Sequence, residues 1–456
     1  MSNIHPPASG NYWLRSGALT LLERGFGLLF NFGAAVLLLR LLSQEDFAAW
    51  GIFLLILYFI EMGRSGLLQN GLIRHLAIHR DEPEACGRIM SASLFLSLLY
   101  STVTSLLLAL GAGWIAGQYH VPQIEAMLPA LFVANGLMVV YNHCYFVQQA
   151  YLEFRGVFWS TFFYRGALFV ALLVYWQAGW AIRLSQIAWA VPAGAAVAAL
   201  AAWWYARPFL AASARLDWSW VKKLFSYGKY VLGTNLSTMF YKNIDKLTLG
   251  HLLGPAAFAI YDAAGKVTQM VETPSFSIAA VAFPKSAERM AREGAAGVKR
   301  LYEKSVAVIL AIILPFLVLV LLFAEPIIWL FAGEKYLASA DVLRLTAFFG
   351  LFMPFAVQFG TVLDSTGRPG TNLAYTAFTA ALNLTLSYWF IGQFGLFGAA
   401  FAVLAGYTVS FVLMQAYLYK HFRVNILNVL RFIPEFYLMG FEFVKKFARR
   451  GGWVHG

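Results

Sequence analysis

The stretch Pro369-GTNLAYTAFTAALNLTLSYWFIGQFGLFGAAFAVLAGYTVSFVLMQAYL-Tyr419 contains no Asp, Glu, Lys or Arg. A bilayer core about 30 Å thick takes about 20 mostly apolar residues of helix. The run is therefore long enough for two crossings, with the Gly-rich segment Gly392 to Gly398 as the turn between them. Upstream, Ile89 to Ile124, Ala126 to Leu152, Leu184 to Ala206, Ser305 to Ala324 and Leu345 to Leu363 are equally free of charge. Backbone groups in lipid must bond within their own segment or within a closed barrel. Strand-like alternation is missing from these runs, which leaves helices.

Composition agrees. The 456 residues are 60% hydrophobic and 12% charged, against roughly 25% charged in soluble domains. Cys86 and Cys144 are the two cysteines, one in a polar loop and one in an apolar run, so neither a disulfide framework nor a cysteine metal site is expected. Met1 to Asn11 lacks the basic start and small-residue cleavage site of a secretory signal, so the first helix is expected in the mature chain.

Joining the charge-free runs to more polar segments predicts about twelve transmembrane helices. They lie near 14–40, 47–73, 89–117, 123–150, 156–177, 184–206, 223–250, 255–284, 303–324, 341–363, 371–392 and 397–420. An even count puts both termini on one side. The loops of that side hold Arg74, Arg80, Arg88, Arg155, Arg207, Arg215, Lys222, Lys285 and Arg292, and the tail adds Lys445, Lys446, Arg449 and Arg450. The opposite loops hold only Arg40, Arg183 and Lys335. Basic loops stay cytoplasmic, so both termini are expected inside a cytoplasmic (inner) membrane. The net charge of +12 is then a matter of topology and lipid contact, and nucleic acid is not an expected partner. The outer loops are short, which leaves no room for an outer catalytic domain; the chain is not expected to be an enzyme, and no cofactor is called for.

Sliding the sequence by 211 residues superposes Gly17 on Gly228, Leu41-Leu42 on Leu252-Leu253, Phe47-Ala48 on Phe258-Ala259, Glu61 on Glu272, Arg74 on Lys285 and Arg88 on Lys299. This register predicts two six-helix lobes, 1–206 and 223–422, around a central cavity. A cytoplasmic linker, 207–222, joins them, and a basic amphipathic tail, 423–456, rests on the inner leaflet. Charges within the predicted spans concentrate on the same helices of each half: Glu23, Arg24, Glu61, Arg64 and Arg165 in the first, and Lys242, Asp245, Lys246, Asp262, Lys266 and Glu272 in the second. Each costs about 2.5–3.5 kcal/mol at the bilayer centre even on lenient scales, so each must face protein or water. They can form internal salt bridges, Glu61 with Arg64 and Asp245 with Lys242, or they can line a polar cavity. The modest surplus of bases suits an anionic ligand, and guanidinium forks suit phosphate.

The segment Asn243-Ile-Asp-Lys-Leu-Thr-Leu-Gly-His-Leu-Leu-Gly254, followed by Ala259-Ile-Tyr261 and Lys266, resembles the seventh and eighth helices of Wzx-type polysaccharide flippases. Leu41-Leu-Ser-Gln-Glu-Asp-Phe47 with Trp50-Gly51 is similar to their first outer loop, and Gly395-Leu-Phe-Gly-Ala-Ala400 to their last helix. The resemblance implies the multidrug/oligosaccharidyl-lipid/polysaccharide exporter fold. It also implies translocation of an undecaprenyl-pyrophosphate-linked oligosaccharide for O-antigen, capsule or exopolysaccharide, with possible partners in the polymerase machinery. The family's basic cavity carries over as a class onto Arg24, Arg64, Arg165, Lys242 and Lys266, with Arg24 and Arg64 expected to contribute most. Glu61, Glu272, Asp245 and Asp262 are candidates for coupling to H+ or Na+. The alternative function is an ion-coupled drug or metabolite antiporter of the same superfamily, which calls for a cavity dominated by acids. Tyr141-Asn142-His143 is expected to be a polar knot between helices rather than a substrate contact. Asp81-Glu82-Pro83-Glu84 is expected to be a solvated loop.

Overall fold

The computed structural model describes residues 10–211 and 216–449. Arg215 and Arg450 lie outside them, as do the side chains of Arg24, Lys445, Lys446 and Arg449. The regular elements among the described residues are helices: α1 (Gly10–Leu41), α2 (Gln44–Ile78), α3 (Pro83–Tyr119), α4 (Gln123–Ala150), α5 (Phe154–Ala178), α6 (Leu184–Ile187), α7 (Ala190–Ala206), α8 (Trp218–Leu253), α9 (Pro255–Thr268), α10 (Glu272–Ala332), α11 (Ser339–Ala347), α12 (Met353–Ser365), α13 (Pro369–Phe394), α14 (Leu396–Phe422) and α15 (Ile426–Arg449). α10 is broken at Gly294, where φ is +63°, and again at Phe323.

Among the described residues eight stretches are long and apolar enough to cross a membrane: α2, α3, α4, α5, α6 with α7, Glu288–Ala332, α11 with α12, and α14. The other expected crossings fall on α1, α8, α9 with the start of α10, and α13. Of α1, Gly25–Leu41 is a shorter apolar stretch, and α13 carries Asn372, Thr376, Thr379, Asn383 and Ser387, which lower hydropathy without shortening the helix. The chain is an all-α, multi-pass membrane protein.

Two compact units divide it, Met1–Phe240 with Gly254–Ala259, and Tyr241–Leu253 with Ile260–Gly456, so α8 contributes to both. In the first unit the alanine-rich α7 lies against α4. Ala195, Ala198, Ala199 and Ala202 are buried beside Met138, Tyr141 and Cys144, and Gln148 donates to the Ala202 carbonyl at 2.6 Å. Small side chains let the two backbones approach closely. Trp220, Val221 and Leu224 at the start of α8 join the core of Leu67, Leu68, Leu72 and Ile89. At Gly228 the approach is so close that any Cβ would collide with the Leu67 carbonyl. Asp217 starts α8 by accepting from the Ser219 amide at 2.9 Å. Hydrogen bonds from Ser219 hold its carboxyl below the usual carboxylate range. The segment before it is docked as well: Phe209 stacks on Tyr151 at 4.9 Å and the Ala211 amide reaches the Met90 sulfur at 3.3 Å.

The second unit is built on α10, whose Tyr302, Val306 and Leu310 share a core with Phe355 and Phe359 of α12, Met414 and Leu418 of α14, and Val429 and Ile433 of α15. α15 covers the sequence expected to lie on the inner leaflet, and one apolar side of it is packed on protein. Glu303 accepts from the Asn425 amide at 2.8 Å and from the Asn428 side chain at 3.1 Å, while Tyr437 donates to the Ala311 carbonyl at 2.7 Å. From Asn428 to Tyr437 the contacts advance from Glu303 to Ala311, so this part of α15 runs alongside α10 and into its apolar run. Leu427, Leu430 and Leu438 stay exposed on the other side. Glu303 is itself buried. Its replacement by Ala orphans the Asn425 and Asn428 donors, and a loss of about 1–3 kcal/mol is expected. The measurement is the melting temperature in detergent together with protease cleavage after residue 422, which should rise; an unchanged melt and cleavage pattern would show that α15 is not held through Glu303.

Candidate functional site

In the first unit the mid-membrane charges of α2 are drawn into a network with α4 and α3. Arg64 is completely buried; Nη1 donates to Glu61 Oε1 at 2.9 Å and Nη2 donates both to the Asn135 carbonyl at 3.0 Å and to Asn135 Oδ1. The amide of Asn135 is fixed in turn by Ser101, Thr104 and Ser105. The second oxygen of Glu61 accepts from Asn142 at 2.9 Å, and the carboxylate retains 20% exposure. Arg64 Nε has no hydrogen-bond partner among the described residues. The expected knot at Tyr141-Asn142-His143 therefore closes through Asn142. Tyr141 packs among Tyr145 and Tyr164 at ring distances of 5.7 and 5.6 Å.

Arg165 of α5 is exposed and reaches across to α1, where a Cβ on Gly27 would lie 2.8 Å from its Nη1. Among the described residues it has no carboxylate within ion-pair distance. Tyr141, Tyr145 and Tyr164 are its electrostatic neighbours. Glu23, one turn before Gly27, also lies within reach of Tyr145.

In the second unit α8 and α9 hold a compact ionic cluster. Asp262 is buried between two lysines, with Lys246 at 2.5 Å and Lys266, one turn along the same helix, at 3.4 Å. Lys242 pairs with Glu272 at 3.3 Å. The pairing of Lys242 with Asp245 read from their spacing does not form. Lys242 sits on the exposed side of α8 and turns to Glu272, whereas Asp245 points inward and accepts from the Tyr261 hydroxyl at 2.6 Å. Asp245 Oδ1 has no partner among the described residues.

The four candidate acids and the described candidate bases thus fall into separate groups by unit: Glu61 with Arg64, Arg165 with tyrosines, Glu272 with Lys242, and Asp262 with Lys246 and Lys266. Only the backbone of Arg24 is described. Asn135, which anchors Arg64, and Tyr261, which anchors Asp245, were not singled out as site residues by sequence. Their signal is weak, since a lone Asn or Tyr in an apolar run is read as polar only once its partner is known. Among the described side chains the membrane-span acids and bases balance in each unit: Glu23 and Glu61 against Arg64 and Arg165 in the first, and Asp245, Asp262 and Glu272 against Lys242, Lys246 and Lys266 in the second. Glu61, Asp262 and Glu272 are held by bases and Asp245 by the Tyr261 hydroxyl.

These clusters sit in an all-helical membrane fold. Solved structures share it: a MATE family multidrug transporter of the MOP superfamily has a TM-score of 0.78 at 16% identity, covering 87% of this chain and 94% of that one. The lipid II flippase MurJ has a TM-score of 0.74 at 11% identity, covering 97% and 94%. The family model described as "Polysaccharide biosynthesis protein" matches residues 37–341, and the chain belongs to that family. The protein named "Probable low-salt glycan biosynthesis flippase Agl15" of Haloferax volcanii is 25% identical over 197 residues. That match takes in 43% of this chain and spans 42% of the length of Agl15.

Proposed function

We propose that the protein is a flippase moving an undecaprenyl-pyrophosphate-linked oligosaccharide across the cytoplasmic membrane for O-antigen, capsule or exopolysaccharide synthesis. The observation that carries this reading is the grouping of bases at mid-membrane in a chain of a polysaccharide family, with the acids already engaged. Glu61, Asp262 and Glu272 are each paired with a base, while Arg165 has no carboxylate within ion-pair distance among the described residues. Arg24, Arg64, Arg165, Lys242 and Lys266 form the proposed cationic set, some touching the pyrophosphate and some organising those that do. Glu61, Glu272, Asp245 and Asp262 are the proposed carriers of a coupling H+ or Na+. The protein performs no chemistry on the sugar, both termini face the cytoplasm, the lobes meet through residues 207–222, and the glycan polymerase is its downstream partner.

Reconstitution into proteoliposomes tests this. Fluorescent undecaprenyl-pyrophosphate oligosaccharide is expected to become accessible to an externally added glycosidase faster than in protein-free vesicles. Movement of a cationic dye with no movement of the glycolipid would replace the flippase reading with the antiporter one.

A further inference from the structure

At the end of α14 that leads into α15, the structure assigns a binding site for the phosphate of an acidic phospholipid, held between Arg368 and His421 on either side of Tyr417. The site lies in the second unit, on elements other than the charged α8 and α9, and it stands independently of the flippase reading.

The turn between α12 and α13 places Arg368. α12 closes at Ser365, Gly367 takes a φ of +79°, and the Arg368 amide bonds back to the Leu363 carbonyl at 2.8 Å before α13 starts at Pro369. That left-handed step suits glycine. The half-buried Arg368 side chain then meets α14, where Nη1 donates to the Tyr417 hydroxyl at 3.0 Å and Cζ lies 5.3 Å from the Phe422 ring. Both supports are fixed: Phe422 is buried, and Tyr417 packs on Phe359 and Tyr375 at ring distances of 5.9 and 5.7 Å. One turn further along α14 the exposed His421 ring stacks on Tyr417 at 4.0 Å, and its Nδ1 donates to the Tyr417 carbonyl at 3.0 Å. A carbonyl only accepts, so Nδ1 carries a proton and Nε2 is the nitrogen left to a ligand, donating in its turn when the ring is protonated.

Two features identify that ligand. The first is the donor edge. Tyr417 takes Nη1 and leaves the Nε–Nη2 edge of the guanidinium, which meets two phosphate oxygens side by side. Neither Arg368 nor His421 has a carboxylate within ion-pair distance among the described residues. The nearby acids are engaged: Asp364 gives both oxygens to the Asn372 side chain at 3.0 and 3.1 Å, and Glu303 accepts from Asn425 and Asn428. Lys420 and Arg423, exposed on either side of His421 and Phe422, add positive charge. The second is the apolar row that leads to the clamp. Val409, Leu413, Tyr417 and His421 follow one another at intervals of four and so share one side of α14. Val409 and Leu413 are exposed, and α14 is long and apolar enough to cross a membrane. An exposed apolar row that ends in cations at the end of a membrane span has the profile of a phospholipid, with acyl chains along Val409 and Leu413 and the phosphate at headgroup depth. A soluble anion makes no use of the row, which is why the lipid is the ligand named.

The experiment uses the purified full chain, with phosphatidylglycerol, phosphatidylcholine and inorganic phosphate as probes and native mass spectrometry as the readout. Saturable phosphatidylglycerol binding is expected, with phosphatidylcholine weaker because its choline already neutralises the phosphate. Arg368→Ala should weaken phosphatidylglycerol by about tenfold or more, the weight of charged hydrogen bonds, and Arg368→Lys should recover only part of that. His421→Ala should weaken it by a smaller factor. Arg300→Ala, which removes an exposed cation elsewhere in the second unit, should leave it unchanged. Undiminished affinity in both Arg368→Ala and His421→Ala overturns the assignment. So does an equal loss in Arg300→Ala, which would reduce the effect to net charge. Displacement of the lipid by inorganic phosphate also overturns it, since the site would then serve a soluble anion. Should Arg368→Ala fail to accumulate, Arg368→Lys and His421→Ala decide by the same criterion.

Discussion

Asp262→Ala is expected to remove most of the folded protein from membranes. Among the described residues Asp262 is the carboxylate within ion-pair distance of both Lys246, whose side chain is 10% exposed, and Lys266, which is 31% exposed. Lys266 can redirect toward polar surroundings through its flexible stem. Lys246 cannot, and is left as a buried ammonium without its acid. Removing one partner of a buried pair costs about 3–5 kcal/mol, which is a large share of the stability of any domain. Replacing both partners by apolar groups of similar size is close to neutral. The double variant Asp262→Leu with Lys246→Met should therefore regain abundance, measured by quantitative immunoblot of washed membranes and by melting in detergent. It should not regain transport if Asp262 carries a coupling ion. Full abundance of the Asp262→Ala single variant would mean that the pair is not load-sharing in the membrane. Restored transport in the double variant would strike Asp262 from the coupling candidates.

The pairings show where sequence is readable and where it is not. Glu61 and Arg64 stand three residues apart on one helix, so their contact follows from helical geometry alone. Lys246 with Asp262 and Lys242 with Glu272 are pairs across helices, and no local pattern ranks Glu272 above the nearer Asp245 as the partner of Lys242. The apolar crossings were legible because a charge-free run of 20 residues has few alternatives in lipid. The expected spans on α1, α8 and α9 hold charges, and they were placed by joining the charge-free runs to the more polar segments beside them. For α15 the alternation of apolar and basic residues reads as an amphipathic helix. Periodicity names a face, however, and not what covers it. The cover on Val429 and Ile433 is α10, located by Glu303 and Tyr437, and nothing in the tail's own sequence specifies those partners. The notch at Gly27 is invisible for a similar reason: a glycine in a membrane helix is ordinary until the arginine from another helix is placed against it.

Arg64→Ala is expected to fail by loss of folded protein, and transport by the molecules that remain separates a scaffold from a ligand contact. Loss of the Arg64 guanidinium takes the donor from the Asn135 side-chain oxygen, leaves the Asn135 carbonyl to Ser101, and leaves Glu61, at 20% exposure, with Asn142 as its remaining donor. It also opens a void in a core where Arg64 is among the largest fully buried side chains. A cost of about 3–5 kcal/mol follows from breaking the buried pair, to which packing loss adds. Protein abundance and melting temperature should fall together. Glu61→Gln should be far milder, since the amide oxygen can still accept from Arg64 or Asn142 and no volume is lost. In the double variant Glu61→Gln with Arg64→Met the buried charge is gone from both sides and abundance should recover substantially, giving a coupling energy between the two sites in a double-mutant cycle. Transport per molecule of surviving protein is the deciding measurement. A scaffold role predicts that the few folded Arg64→Ala molecules retain much of the parent's transport per molecule. If instead Arg64→Ala is as abundant as the parent but does not transport, Arg64 leaves its network to meet the ligand.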